Sequence, residues 1–257
     1  MHPILFQSGL LILSSWHVFF MLAAWASWFT LQRWYPYVWP SAKAYKIDSF
    51  FLLAYTSGYF GARALSLMLE DEQSCLCWAS LLALFNIGSM TLYGGIIAAA
   101  FTCLMYAKVL KLPTRQLADV LLPPTLIGIA VGRIGCLLNG DDYGLPIGDQ
   151  LHPAFWAVRF ANLEDGLYRY PVQIFESGLC LALAFICWAN RSKNMGVVGS
   201  IGIIGYAGLR FGLEFLRGDE RGHFLTPVLS PAQLISLGVS MAWLVFLRIT
   251  QKSTLAV

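Results

Sequence analysis

An all-α integral membrane protein with seven transmembrane helices is the fold class this sequence predicts, and three observations predict it. Hydrophobic residues supply 58% of the 257 positions and charged residues only 12%, about half the charge of a soluble globular domain. The apolar residues gather into runs close to the roughly 20 residues that a helix needs to cross a bilayer. Basic and acidic clusters alternate between those runs. The composition excludes an ordinary soluble enzyme, a disordered regulator and a nucleic-acid binder with a basic surface. Residues 1–257 are expected to form a single polytopic membrane domain.

In order along the chain, hydropathy places spans near 10–31, 47–69, 92–110, 118–138, 172–190, 196–214 and 232–249. The N-terminus, MHPILFQSGLLILSSWHVFFMLAAW, lacks the basic region of a secretory signal, so its apolar run is expected to remain as the first span. The run 75–88, CLCWASLLALFNIG, is short for a crossing and reads as an interfacial or re-entrant segment, with an eighth crossing as its rival. Residues 139–171, of mixed charge and rich in Pro and Gly, are expected to form an external cap or lateral arm.

Charge bias sets the orientation. With the N-terminus outside and the C-terminus inside, the inner loops receive Arg33, Lys43, Lys46, Lys108, Lys111, Arg115, Arg191, Lys193, Arg248 and Lys252. The outer side receives Glu70, Asp71, Glu72, Asp141, Asp142, Asp149, Glu164 and Asp165. The cysteines make no disulfide framework: Cys103, Cys136, Cys180 and Cys187 sit in apolar runs as small core residues. Cys75 and Cys77 are spaced for redox or metal chemistry but have no second ligand cluster, so no metal or cofactor is expected.

A charge inside a span is costly unless paired or solvated, which makes each one informative. Arg133, Glu176, Arg210 and Glu214 all fall near the outer ends of their spans. Tyr93 opens the third span, and His17 lies about 10 Å along the first by helical rise. Their shared depth predicts a polar chamber open to the outer leaflet. Gly132 and Gly135 flank Arg133 at a spacing that allows close helix approach, and Asn139-Gly140-Asp141 reads as the turn that ends the helix. Arg210 and Glu214 are four apart on one helix face and are expected to pair. Two arginines with only part of their charge neutralised suit a bound phosphate, whose oxygens match the guanidinium fork. Tyr93 also reads as an interface aromatic, Gly94-Gly95 as a site of close approach to a ligand or to another helix, and His17 equally as a structural hydrogen-bonding group.

These residues resemble the prolipoprotein diacylglyceryl transferase family. GRIGCLLNGDDYG matches the family pattern G-R-x-G-N-F-x-N-G-E-x-x-G at Gly132, Arg133, Gly135, Asn139, Gly140 and Gly144, with Asp141 in place of Glu and Cys136 in place of Asn. YPVQIFE carries Pro171, Gln173 and Glu176 of H-P-x-Q-L-Y-E, and Tyr206, Arg210, Glu214 and Arg217 match Y-x-x-x-R-x-x-x-E-x-x-R. AQLIS carries Gln233 and Ser236 of the last element, and Arg63 in SGYFGARA is the counterpart of a looser one. Two positions depart. Tyr93 in YGGI stands where the family has the His of H-G-G-L, and His17 stands where it has the Tyr of W-Y-G.

The resemblance implies a multi-pass enzyme of the bacterial cytoplasmic (inner) membrane. It would transfer the sn-1,2-diacylglyceryl group of phosphatidylglycerol to the lipobox cysteine of a preprolipoprotein, with phosphatidylglycerol and that signal peptide as partners and the protein as a monomer. It implies Arg133 and Arg210 on the phosphate, Asp141 or His17 as proton acceptor, Glu214 orienting Arg210, and Tyr93 bonding a glycerol or phosphate oxygen. Arg63, Asn139, Gly140, Glu176 and Tyr206 complete the substrate-binding set. The exchange of His and Tyr keeps open a paralogue that binds lipid or lipoprotein without turnover. A small transporter is the third class, against which no internal repeat is visible.

Overall fold

The computed structural model describes residues 4–8, 11–41, 43–70, 92–109, 111–191, 194–219 and 229–255. Among them are seven α-helices: α1 (Ser15–Val38), α2 (Ala44–Glu70), α3 (Leu92–Val109), α4 (Thr114–Asn139), α5 (Val172–Ala189), α6 (Val197–Leu213) and α7 (Pro231–Leu255). A single 3-10 turn, Glu214–Leu216, extends α6. Two short antiparallel hairpins complete the described structure: β1 (Ile4–Ser8) with β2 (Leu11–Ser14), and β3 (Val158–Arg159) with β4 (Tyr168–Arg169). The 75–88 segment, with Cys75 and Cys77, lies outside the described residues.

Helices stand where the seven apolar runs were expected, and four are long and apolar enough to cross a membrane: Thr114–Asn139, Val172–Ala189, Val197–Leu216 and Pro231–Thr250. In α3 the apolar part, Gly94–Val109, is shorter. The lengths of α1 and α2 suffice, but Trp16, His17, Arg33 and Trp34 in the first and Lys46, Asp48 and Arg63 in the second dilute their apolar character.

The first expected span needs correction. Its helix begins at Ser15 rather than near residue 10 and runs on to Val38, because Leu11–Ser14 is a strand paired antiparallel with Ile4–Ser8. A short apolar run fits a strand as well as a helix by periodicity. The break is set by Ser14, whose Oγ accepts the His17 N–H at 3.4 Å in the manner of an N-cap.

Contacts divide the chain into two compact units, Trp39–Leu117 and Met1–Val38 with Ala118–Val257. In the first, α2 crosses α3 where glycines face each other. A Cβ on Gly61 would lie 2.6 Å from the Gly94 carbonyl oxygen and one on Gly94 only 2.2 Å from that of Gly61. Gly94-Gly95 therefore serves contact with another helix, one of its two sequence readings.

In the second unit α1, α4, α5, α6 and α7 pack together. Ser27 Oγ donates to the Pro124 carbonyl and Trp34 Nε1 to that of Asp119, which fixes α1 on α4. Phe19 of α1 lies against Gly135, bringing the first turns of α1 beside the last turns of α4. Buried Asp119 accepts the N–H groups of Gly196 and Gly199 at 2.6 Å each, satisfying donors that the start of α6 leaves open. Ser230, Pro231 and Gln233 form a capping box on α7: Gln233 Oε1 accepts the Ser230 N–H and Ser230 Oγ the Gln233 N–H. The outward faces of α5 and α7 expose Leu181, Phe185, Trp188, Met241, Val245 and Ile249. Apolar outward faces of this kind belong in lipid.

Candidate functional site

The site is assembled where α4 ends and α6 exits. Ser177 Oγ donates to the Ala130 carbonyl at 2.8 Å, and this clamp between α5 and α4 carries the neighbouring Glu176 to Arg133. Arg133 Nε lies 2.9 Å from Glu176 Oε2. The other Glu176 oxygen accepts the Tyr206 hydroxyl at 3.1 Å, which adds α6 to the network. Arg210 and Glu214 continue it at successive four-residue steps along the same helix.

Beyond α4 the chain turns on Gly140, whose φ of +88° a side chain would strain and whose Cβ would collide with Asn162. Asn162 Nδ2 donates to the Gly140 carbonyl at 3.0 Å and holds the turn from across the loop. The strand-like stretch after it is stitched to the exit of α6: Leu145 N–H donates to the Leu216 carbonyl at 2.8 Å and Gly218 N–H to that of Tyr143 at 3.0 Å. That ladder brings Arg217 to Asp142. Asp142, itself at a φ of +61°, takes Arg133 Nη1 at 2.5 Å on one oxygen and Arg217 Nη2 on the other. Arg217 Nε also pairs with Asp219 at 2.8 Å. Burial works against the Arg217 charge, but Asp219 and Asp142 outweigh it and the guanidinium holds its proton more tightly than an ordinary arginine.

Arg133, Glu176, Tyr206, Arg210 and Glu214 are thus brought together; depth in the spans pointed to all of these but Tyr206, which came from the motif, and to Tyr93 and His17 as well. Asn139, Gly140 and Asp141 follow directly, but the Asp141 side chain turns to Asn139 Nδ2 while its carbonyl accepts Gln173 Nε2 at 2.6 Å. His17 is in the first turn of α1 instead of 10 Å along a span, because the helix starts later. Its Nδ1 is 2.5 Å from Ser14 Oγ and its ring meets Trp16 edge-on. Arg63, buried on α2, and Tyr93, on α3, belong to the other compact unit, and the Tyr93 side chain lies outside the described residues.

The charge balance also differs from expectation. Among the described residues, Arg133, Arg210 and Arg217 face Asp142, Glu176, Glu214 and Asp219, so the cluster carries no excess of positive charge. What it does hold is unmade hydrogen bonds. Arg210 Nη1 is 3.0 Å from Glu214 Oε2, yet among the described residues Arg210 Nη1, Arg210 Nη2 and that oxygen are buried without a hydrogen-bond partner. The pair is close but misaligned. Buried polar atoms are seldom left this way, and an unmade bond to a charged group is expensive. A guanidinium held by charge and not by directed bonds keeps its fork of donors for another acceptor, and a tetrahedral anion matches that fork.

Sequence reasoning passed over Asp142, Arg217 and Gln173 as site members. Arg217 and Gln173 both carry the motif spacing and were legible from it. Asp142 was not, since its role depends on the ladder between loop and helix exit.

The sequence pattern of the prolipoprotein diacylglyceryl transferase family matches residues 3–249. A relative from Clostridium perfringens, phosphatidylglycerol–prolipoprotein diacylglyceryl transferase 2, is 31% identical over 214 residues, 81% of this chain and 82% of its own length. The proteins named phosphatidylglycerol–prolipoprotein diacylglyceryl transferase from Bordetella parapertussis and Azoarcus sp. are each 32% identical, over 61% and 66% of this chain. The match spans 56% of the length of the Bordetella protein and 64% of that of the Azoarcus protein. With its family pattern covered almost end to end, this chain belongs to the prolipoprotein diacylglyceryl transferase family.

Proposed function

We propose that the chain transfers the sn-1,2-diacylglyceryl group of phosphatidylglycerol to the thiol of a lipobox cysteine in a preprolipoprotein. The substrate thiolate attacks the glyceryl carbon that carries the phosphate ester. A C–S bond forms as the C–O bond breaks, glycerol 1-phosphate departs with the electron pair, and the thiol proton passes to a protein base. Arg210 receives the phosphate, with Arg133 behind it in the Glu176 and Tyr206 network. Glu214 orients Arg210, and Asp141 or His17 accepts the proton. Arg63, Asn139 and Gly140 complete the lipid site, with Tyr93 bonding an oxygen of the glycerol or phosphate.

The observation that carries this reading is the buried Arg210 guanidinium, paired by charge with Glu214 but with neither terminal nitrogen hydrogen-bonded among the described residues. Anionic charge that develops on a leaving phosphate is met best by donors already fixed in a water-poor site. In the same proposal residues 1–257 form one monomeric polytopic domain of the bacterial inner membrane. It has seven spans, N-terminus out and C-terminus in, as the alternation of Lys and Arg with Asp and Glu between apolar runs supports.

The test is a transfer assay with purified protein in phosphatidylglycerol vesicles and a lipobox peptide, read as thioether-linked product. Arg210→Ala should lower the rate by about a hundredfold or more. Arg210→Lys should recover only part of it, because an ammonium lacks the planar fork. Phosphatidylglycerol binding without product in the unaltered protein would overturn the reading in favour of a lipid-binding relative.

A further inference from the structure

The loop between α4 and α5 displays two large apolar side chains that the transfer reaction does not use. Phe155 is 100% exposed and Leu151 87% exposed, the two highest values among the described large apolar residues. Both positions are built. Ala157 N–H donates to the Ala154 carbonyl at 2.9 Å, closing a turn with Phe155 and Trp156 at its corners. Asp149 Oδ1 accepts the N–H groups of Leu151 and His152 at 3.0 and 2.9 Å. Gln150 Nε2 donates to the Ile147 and Tyr168 carbonyls, fastening the same segment to β4.

Trp156 fixes the depth of this turn. Its ring stacks on Tyr170 at 5.3 Å between centroids and meets Phe175 at 5.9 Å. Phe175 lies in the first turn of α5, beside Ile174, which is exposed on the outward face of that helix. Trp156 therefore packs inward at the level where α5 starts, and its neighbour Phe155 projects outward at the same level. That is the depth at which a spanning helix meets the headgroup layer, the usual place of Trp in membrane proteins. Exposed Arg159, its guanidinium 4.2 Å from the Tyr168 ring centroid, adds a cation to the same loop, while Asp149 pairs with His152 at 3.6 Å.

We propose that residues 151–156 dock on the outer leaflet, with Phe155 and Leu151 inserted at the boundary of headgroups and acyl chains and Arg159 on lipid phosphates. In water these two side chains would stay unfavourably hydrated, whereas continuity with the lipid-facing side of α5 gives them an apolar environment. The docking rests on α5 crossing the bilayer and, for the choice of leaflet, on the proposed N-terminus-out orientation, and not on the transfer reaction. It anchors the loop whose other end carries Asp142 beside Arg133.

The experiment places an environment-sensitive fluorescent amino acid at 155, at 151 or, as control, at exposed Glu164 in the full chain. Each protein is reconstituted in phosphatidylethanolamine–phosphatidylglycerol vesicles and quenched with aqueous iodide or with phospholipid carrying a nitroxide near the headgroup. Positions 155 and 151 should lose most of their emission to the nitroxide lipid and resist iodide, with Glu164 the reverse. Iodide access at 155 equal to that at 164 overturns the proposal. So does protection from both quenchers, which would mean cover by protein. Because the readout is depth, an inactive transferase leaves the result interpretable.

Discussion

Asp142 Oδ2 sits 2.5 Å from Arg133 Nη1, so the arginine of the family motif is held by an aspartate one position past the motif's own acidic residue. The second Asp142 oxygen engages Arg217, which makes one carboxylate the tie between the end of α4 and the exit of α6.

Asp142→Asn preserves the shape of that tie and removes its charge. Two largely buried guanidiniums then lose an ionic acceptor, at a cost of about 1–3 kcal/mol of stability. The melting temperature should fall further than in Asp141→Asn, whose side chain engages only Asn139 among its described partners. Thermal melts on the two variants check this. Equal destabilisation in both would mean that Asp142 is not the tie between the end of α4 and the exit of α6.

At the opposite end of α6, Asp119→Ala leaves the N–H groups of Gly196 and Gly199 without their acceptor in a buried setting. The expected cost is about 1–3 kcal/mol. Arg210 lies near the far end of the same helix, so protein that does fold should keep a specific activity close to that of the unaltered chain. A normal melting temperature with lost transfer would contradict this division between a capping residue and the site.

The sequence revealed Arg133, Glu176, Arg210 and Glu214 because a charge in an apolar run is conspicuous, and the four-residue spacing of Arg210 and Glu214 fixed their common face. Tyr206 followed from the motif that contains them. Asp142 escaped because its value comes from a left-handed backbone and from hydrogen bonds between residues 145 and 216 and between 218 and 143, which no local pattern encodes. Asp119 escaped for a related reason: it caps a helix 77 residues away. The start of α1 was misjudged because hydropathy alone does not separate a short apolar strand from the first turns of a helix. Only the Ser14 cap does so.

The α2 and α3 crossing gives a packing prediction. Gly61→Val and Gly94→Val each force side-chain atoms into opposing backbone, where a single Cβ already comes within 2.6 Å of a carbonyl oxygen. Overpacking of this kind costs about 1–3 kcal/mol, occasionally more. Gly178, with open space around its Cβ position, is the control, and Gly178→Ala should be nearly silent. Protease sensitivity and melting in detergent report the difference. A stable Gly94→Val protein would mean that the two helices can separate without loss.

The last prediction concerns the family positions at which His and Tyr have changed places, His17 and Tyr93. His17 has a local partner in Ser14, at 2.5 Å, so a structural imidazole and a proton-accepting one make different forecasts. If the ring only seals the joint between hairpin and helix, Ser14→Ala should cost as much as His17→Phe. If it accepts the thiol proton, His17→Phe should lower transfer by about a hundredfold while Ser14→Ala, which keeps the imidazole, retains most of it. The combined change His17→Tyr with Tyr93→His restores the family pattern and should retain or raise activity even though His17→Tyr alone loses it, because residues that share one task are non-additive. Thiol diacylglyceration at matched protein levels, with phosphatidylglycerol binding as the folding control, measures all four variants. Full activity in His17→Phe would sink the proton-accepting role of His17 and leave Asp141 as the base to test.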